Sequence, residues 1–355
     1  MTHPYENMGP EAYWKSAVAE PGAHGLTGLW SPKFQIKPNH RIVTAGSCFA
    51  QHIGNALANR GYQWVDCEPA PPFVLGQEAR HYGYGVFSFR TGNIYTPSIL
   101  LQWLELAYGL REEVREIWEK NGRFYDPLRP AIEPGGFASE DEVWAARAVT
   151  YASLRKAVET ANVFVFTLGL TERWMNRETG LEYALCPGTV AGTFDSSVHA
   201  FSNATTRQTM RALTKSLKLL KSKNPKIKVL LTVSPVPLTA TASGKHVLTA
   251  TQYSKSVLRA VAGQAAEDFW FVDYFPSFEI ITHPIFRGMF FAPNMRSVVP
   301  EGVNTVMSHF FADQQRTFGG DKKQAAKVAI PIIAESEEQD IKCEEELLHA
   351  FAPRT

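Results

Sequence analysis

Three nearly continuous apolar runs limit the folds open to this chain. They are Asn162 to Leu168, Ile227 to Ser234 and Phe269 to Tyr274. Strands buried on both faces of a parallel sheet read this way, whereas strands with one wet face alternate. Amphipathic helical stretches separate them, Thr205 to Ser222 and Tyr253 to Glu267. A fourth strand, Arg41 to Ala45, comes earlier and runs into a helix near Phe49. This alternation predicts an α/β fold with right-handed crossovers and helices on both faces of the sheet. With 355 residues, 45% of them apolar, the chain can bury a large core.

The first strand leads into Gly46-Ser47-Cys48-Phe49-Ala50. A turn of small residues between a strand end and a helix start is where open α/β sheets place their chemistry. A hydroxyl and a thiol stand side by side in it. The free N–H groups at the start of the helix favour a thiolate or a developing oxyanion. The other strand exits are also rich in polar residues: Gly169-Leu170-Thr171-Glu172-Arg173-Trp174, then Ser234-Pro235-Val236-Pro237-Leu238 continuing to His246, then Pro276-Ser277-Phe278-Glu279 with His283 and Asn294 beyond.

Elsewhere the pattern predicts an irregular arm over residues 1–34 lying over the core, a domain over 35–318 and a helical extension over 319–355. His81 to Phe89 reads as a short strand, Ser98 to Tyr108 and Glu142 to Thr160 as helices, and 111–148 as loops and short helices. Pro300 to Phe311 reads as a terminal helix and Glu335 to Leu348 as a peripheral one.

The balance of 36 Lys+Arg against 35 Asp+Glu leaves no global field to draw nucleic acid or an anionic membrane. No stretch is apolar enough for a membrane span, and the N-terminus lacks a secretory pattern, so a cytoplasmic location is expected. Cys48, Cys67, Cys186 and Cys343 form no Cys-x-x-Cys pair, so no disulfide scaffold or zinc site is indicated. Cys67 and Cys343 read as packing residues.

Several blocks, taken in order, resemble the GSCFA family. They are Gly46 to Ala50, Gly92 to Thr96, Asp126 to Pro130, Leu168 to Glu172, Cys186 to Gly188, Ser234 to Leu238 and Tyr253 to Ser256. That family is similar to the SGNH (GDSL-type) esterases and acyl transferases. The resemblance implies a three-layer, flavodoxin-like sheet and acyl transfer on an ester. The substrate would be a small molecule or an acylated glycan, with a carrier such as coenzyme A as donor in a transferase. No metal or redox cofactor is implied.

Carried over residue by residue, the nucleophile position falls on Cys48, with Ser47 as the alternative register. The oxyanion would be held by the turn at Gly46, by Gly92 or Asn93, and by Gly169 and Thr171, with Thr171 standing where the SGNH pattern has asparagine. Glu172 is a carboxylate candidate beside them. The SGNH Asp-x-x-His is missing, because Pro293 to Pro300 offers only Asn294 and Arg296. His246 is then the best-placed base and His283 a weaker alternate, while His52 reads more as a core histidine that could hydrogen-bond within the site and His309 as packing. Alternatively a thiolate needs no strong base, or the domain has kept binding and lost hydrolysis. Tyr95 and Trp174 are candidates for an apolar wall. Arg129 and Arg173 are candidates for anion recognition or for surface ion pairs. A redox role for the thiol is disfavoured because no resolving cysteine lies nearby in sequence.

Overall fold

The structure, a computed structural model, describes residues 3–319, 341 and 343–352. The chain divides into two units, one from Met1–Ile36 with Phe275–Glu338, the other from Lys37–Tyr274 with Gln339–Thr355.

The larger unit is built on four parallel strands. In chain order the elements of the protein are helix α1 (Gly22–Gly25), β1 (Ile42–Gly46), α2 (Phe49–Asn59), α3 (Gly76–His81), α4 (Pro97–Ala107), β2 (Trp118–Lys120), β3 (Arg123–Tyr125) and α5 (Glu140–Thr160). Then come β4 (Val163–Leu168), β5 (Glu172–Asn176), β6 (Glu182–Tyr183), β7 (His199–Asn203), α6 (Thr206–Lys223), β8 (Lys228–Val233), α7 (Val247–Asp268), β9 (Val272–Tyr274), α8 (Ser277–Thr282) and α9 (Pro300–Phe318). The central sheet has the order β1-β4-β8-β9, all parallel, with β1 and β4 in register from Ile42↔Val163 to Gly46↔Thr167. Every residue of β1, β4 and β9 is buried, which is why these runs are mostly apolar, with Thr44, Thr167 and Asp273 the buried polar exceptions.

Ile42 also pairs in parallel with Trp64 on its free edge, through Ile42 N–H to Gln63 O and Val65 N–H to Ile42 O. With that one-residue second strand the spatial order is flavodoxin-like, and it reverses between β1 and β4. Helices surround the sheet: α2 packs on β1 and β4, α7 on β8 and β9, and α4, α5 and α6 on one another. Three of them start where a hydroxyl satisfies free N–H groups. Thr96 caps α4, Ser139 caps α5, and Thr205 with Gln208 forms a capping box on α6.

Several expectations need correction. His81 to Phe89 is not a strand: His81 ends α3, and Gly83 (φ 77°) and Gly85 (φ 64°) break the extended path. The 111–148 region holds a β2–β3 hairpin turned by Asn121 (φ 53°) and Gly122 (φ 69°), an Asn-Gly signal for a two-residue turn. The stretch after β4 is no simple exit loop, since Glu172 opens an antiparallel sheet of order β6-β5-β7. Helix α7 starts at Val247, earlier than expected, and α9 runs on to Phe318. The expected helix Glu335 to Leu348 lies partly outside the described residues. Its described end is a 3-10 helix, Glu344–Phe351, with Glu344 and Glu345 buried in the larger unit rather than peripheral.

The Asp126–Pro130 block, with Arg129, is core structure. Asp126, fully buried, accepts from Arg129 Nε at 2.9 Å and Arg147 Nη2 at 2.5 Å. Arg129 also donates to Arg90 O and Thr150 Oγ1, both at 2.6 Å. Arg129 therefore neither binds an outside ligand nor forms a surface pair. Burial alone would raise the Asp126 pKa, but the Arg147 and Arg129 guanidiniums hold it below the usual carboxylate range. Asp126→Asn leaves two buried cations without their anion and should cost about 3–5 kcal/mol in urea unfolding at neutral pH.

In the smaller unit, Trp30 stacks on Phe310 at 5.3 Å and meets Phe275 edge-on at 5.1 Å. Its N–H donates to Asp313 Oδ2 and its carbonyl accepts from Arg316. Gln314 holds Ile36 and Phe34 in the same way, so residues 30–36 are fastened along α9.

Candidate functional site

A doubly wound sheet binds ligands at the carboxyl ends of its strands, where the strand order reverses. Here that point lies between Gly46 of β1 and Leu168 of β4. Gly46 has φ 133°, and a Cβ on it would stand 2.4 Å from Thr167 O, so no other residue fits. The close approach is sealed by Ser47 N–H to Thr167 O at 3.0 Å, and Ser47 O then accepts from Ala50 as α2 begins.

The family-like blocks meet at this point. Ile94 N–H donates to Gly46 O at 2.8 Å, laying the Gly92–Thr96 loop beside the turn. Tyr95 O accepts from Gly169 N–H and Leu170 N–H, which ties that loop to the exit of β4. From α7, Ser254 Oγ accepts from Thr171 N–H at 2.9 Å and Lys255 Nζ donates to Gly169 O at 2.6 Å. The Tyr253–Ser256 block, whose role the sequence left open, is thus a clamp on the β4 exit, and Lys255 brings a buried cation to it. Gly169 has no room for a side chain: a Cβ would lie 3.0 Å from Tyr95 Cδ1 and 3.1 Å from Ser47 Cβ.

Both side chains of the turn are buried, Ser47 at 2% and Cys48 at 4% exposure. The Ser47 hydroxyl and the neighbouring Thr167 hydroxyl have no hydrogen-bond partner among the described residues. Cys48 begins α2 and lies within electrostatic reach of the Tyr95 hydroxyl. Burial, followed by the charges of Cys343, Glu344, Cys48 and Glu345, pushes the Tyr95 pKa well above its ordinary value. Cys343 therefore shares with Cys48 the neighbourhood of one phenol, a proximity hidden by their separation in sequence.

Other expected residues lie as follows. Gly92 (φ 67°) and buried Asn93 flank the turn through Ile94. The Thr171 hydroxyl donates to Asn203 Oδ1 at 2.6 Å, and so is engaged within β5–β7. Glu172 accepts from Thr241 Oγ1 and Ala242 N–H, and burial raises its pKa. His246 is the exposed N-cap of α7, its Nδ1 accepting from Leu248 N–H. His52 packs its ring 5.4 Å from Phe49. Asn294 and His283 belong to the smaller unit, where Asn294 Oδ1 accepts from Arg296 and Ser297 N–H and His283 accepts from Ile285 N–H. His309 lies there too, on α9.

Beside the strand ends opens a cavity of about 520 Å³. Tyr95 and Leu170 form its floor, Trp174 and Tyr183 of the antiparallel sheet one wall, and Leu238 another. Glu172, Arg173 and Cys186 also line it, and burial lifts the Cys186 pKa to about 11. Leu348, His349 and Phe351 close it from the C-terminal segment. Ser47, Cys48 and His246 are not on its surface. Tyr95 and Trp174 both line it, whereas His349 carried no sequence signal. Among the described residues no group of three or more His, Cys, Asp or Glu side chains could hold a metal ion. None of their helices is long and apolar enough to cross a membrane.

The GSCFA family model matches residues 41–310, from the first strand to the middle of α9. The chain belongs to the GSCFA family. No curated protein matches it. In this GSCFA protein the family match spans the whole β1–β9 frame and the Tyr253–Ser256 clamp, and it stops short of the segment 343–352.

Burial lowers the His52 pKa from 6.5 to about 4. A folded-state pKa below the unfolded one means a stabilising contribution that is intact above pH 6.5 and is lost as pH falls toward 4. The shift corresponds to about 3 kcal/mol at most. His52→Gln should flatten the fall in Tm between pH 6.5 and 4, and an unchanged slope would show that other groups drive it.

Proposed function

We propose that this GSCFA protein transfers acyl groups from esters, to water or to an acceptor such as a sugar hydroxyl, through a nucleophile in the Gly46–Ala50 turn. The observation that carries the reading is the turn itself. A thiol and an unpartnered hydroxyl stand at a helix start, at the sheet's switch point, next to a largely apolar cavity. An SGNH-like ancestry is part of the same proposal, and the flavodoxin-like strand order supports it.

Cys48 is the preferred nucleophile and Ser47 the alternative. Cys48 Sγ would add to the ester carbonyl, the C–O bond would break, and the alcohol would leave with the thiol's proton. The resulting thioester would pass its acyl group to water or to a second hydroxyl, whose proton returns to sulfur. N–H groups of the turn and of Gly92–Asn93 would hold the oxyanion, with the Lys255 ammonium adding positive charge behind Gly169. The cavity between Tyr95, Trp174 and Leu238 suits an apolar acyl chain. A coenzyme A thioester would serve equally well as donor.

A second reading, binding of an ester or glycan without turnover, is favoured by the histidines. His246 is an exposed cap and His52 is held neutral against Phe49. Hydrolysis of p-nitrophenyl esters of increasing chain length separates the two. Under the first reading Cys48→Ala lowers kcat/KM by about 10³-fold or more, and Ser47→Ala does so if the register is shifted by one. Equal rates in wild type and in the double variant leave only binding.

A further inference from the structure

We propose that the segment Cys343–Ala352 is an acidic peptide plug bound in cis over the Gly46–Ala50 turn, received by the Thr239 N–H, the Tyr95 hydroxyl and the backbone at Gly92. The proposal rests on the reading of that turn as the reactive centre, and it names what occupies the centre at rest.

The contacts come from several independent parts of the segment. Glu344 and Glu345 are buried although they belong to a run of three glutamates. The Glu344 carboxylate lies over Gly92, so close that a Cβ there would come within 2.6 Å of its Oε1. Gly92 is one of the positions the sequence marks for the oxyanion, so a carboxyl oxygen of the chain itself sits where the proposed reading puts one. Glu345 Oε1 accepts from Thr239 N–H at 2.9 Å, and Glu345 N–H donates to the Tyr95 hydroxyl at 3.1 Å. That hydroxyl feels both Cys48 and the segment's Cys343. Farther along, Leu348 and Phe351 line the apolar cavity as an acyl chain would. Polar head and apolar tail together thus follow the outline of an acidic amphiphile. The 3-10 helix that carries them lies beyond the stretch matched by the family model.

The test uses the full chain with Cys343→Ser, so that only Cys48 reports from the site. The rate of Cys48 alkylation by iodoacetamide is read by mass spectrometry of its peptide. Glu344→Gln with Glu345→Gln removes the anionic contacts, and Leu348→Asp separately removes the apolar one. Each should speed alkylation of Cys48 at least tenfold, and a synthetic peptide of residues 343–352 with serine for cysteine should slow it again. Rates unchanged in both variants overturn the plug. The same variants are assayed on p-nitrophenyl esters. Faster alkylation without turnover keeps the plug and removes the acyl-transfer reading. Turnover that neither variant alters, with alkylation also unaltered, removes the plug alone.

Discussion

The backbone of Gly46 lies against the backbone of Thr167, and the rest of the site is built around that contact. Only a residue without a Cβ allows β1 to stay in register with β4 to its last residue and then turn sharply into α2. Because the turn is fixed there, its carbonyl is available to Ile94, and the Gly92–Thr96 loop takes up a single position. Tyr95 O then anchors Gly169 and Leu170, and α7 anchors the same exit from the opposite direction through Ser254 and Lys255. Four sequence blocks meet here, three of them joined by main-chain hydrogen bonds and the fourth by the side chains of Ser254 and Lys255.

Burying Lys255 and the Asp126–Arg129–Arg147 group has an energetic cost that neutral residues would avoid. Their charges are matched inside the protein. Lys255 meets the carbonyl end of a strand, where the partial negative charge of an unpaired C=O is available. Asp126 meets two guanidiniums. The first arrangement steadies the site and the second steadies the β3–α5 region behind it.

The parallel sheet was legible because burial on both faces leaves an apolar signature in Val163–Leu168 and Lys228–Val233, and the Gly46–Ala50 turn because only a strand-to-helix junction needs that run of small residues. Strand ends moved by a residue or two, as expected where pairing rather than composition sets the boundary. The antiparallel sheet of β5, β6 and β7 was not legible. Its strands are half polar and two to five residues long, and while β6 follows β5 closely, β7 returns to β5 only after a further stretch without strand signal. The roles of the histidines were not legible for a related reason. A cap such as His246 and a ligand such as a catalytic histidine both sit in small polar loops, and only the direction of the imidazole tells them apart. The nearness of Cys343 and Glu344 to the turn could not be read at all, since it depends on a chain segment returning across almost three hundred positions.

The antiparallel sheet between β4 and α6 supplies Trp174 and Tyr183 to the cavity, while the Gly46–Ala50 turn belongs to the central frame. On the acyl-transfer reading proposed above, bond-making chemistry and the choice of what fits reside on separate stretches of polypeptide. An insertion of different length at that junction would recut the chamber while Gly46, Ser47 and Cys48 stayed untouched, a route by which one scaffold can change clientele without relearning its reaction.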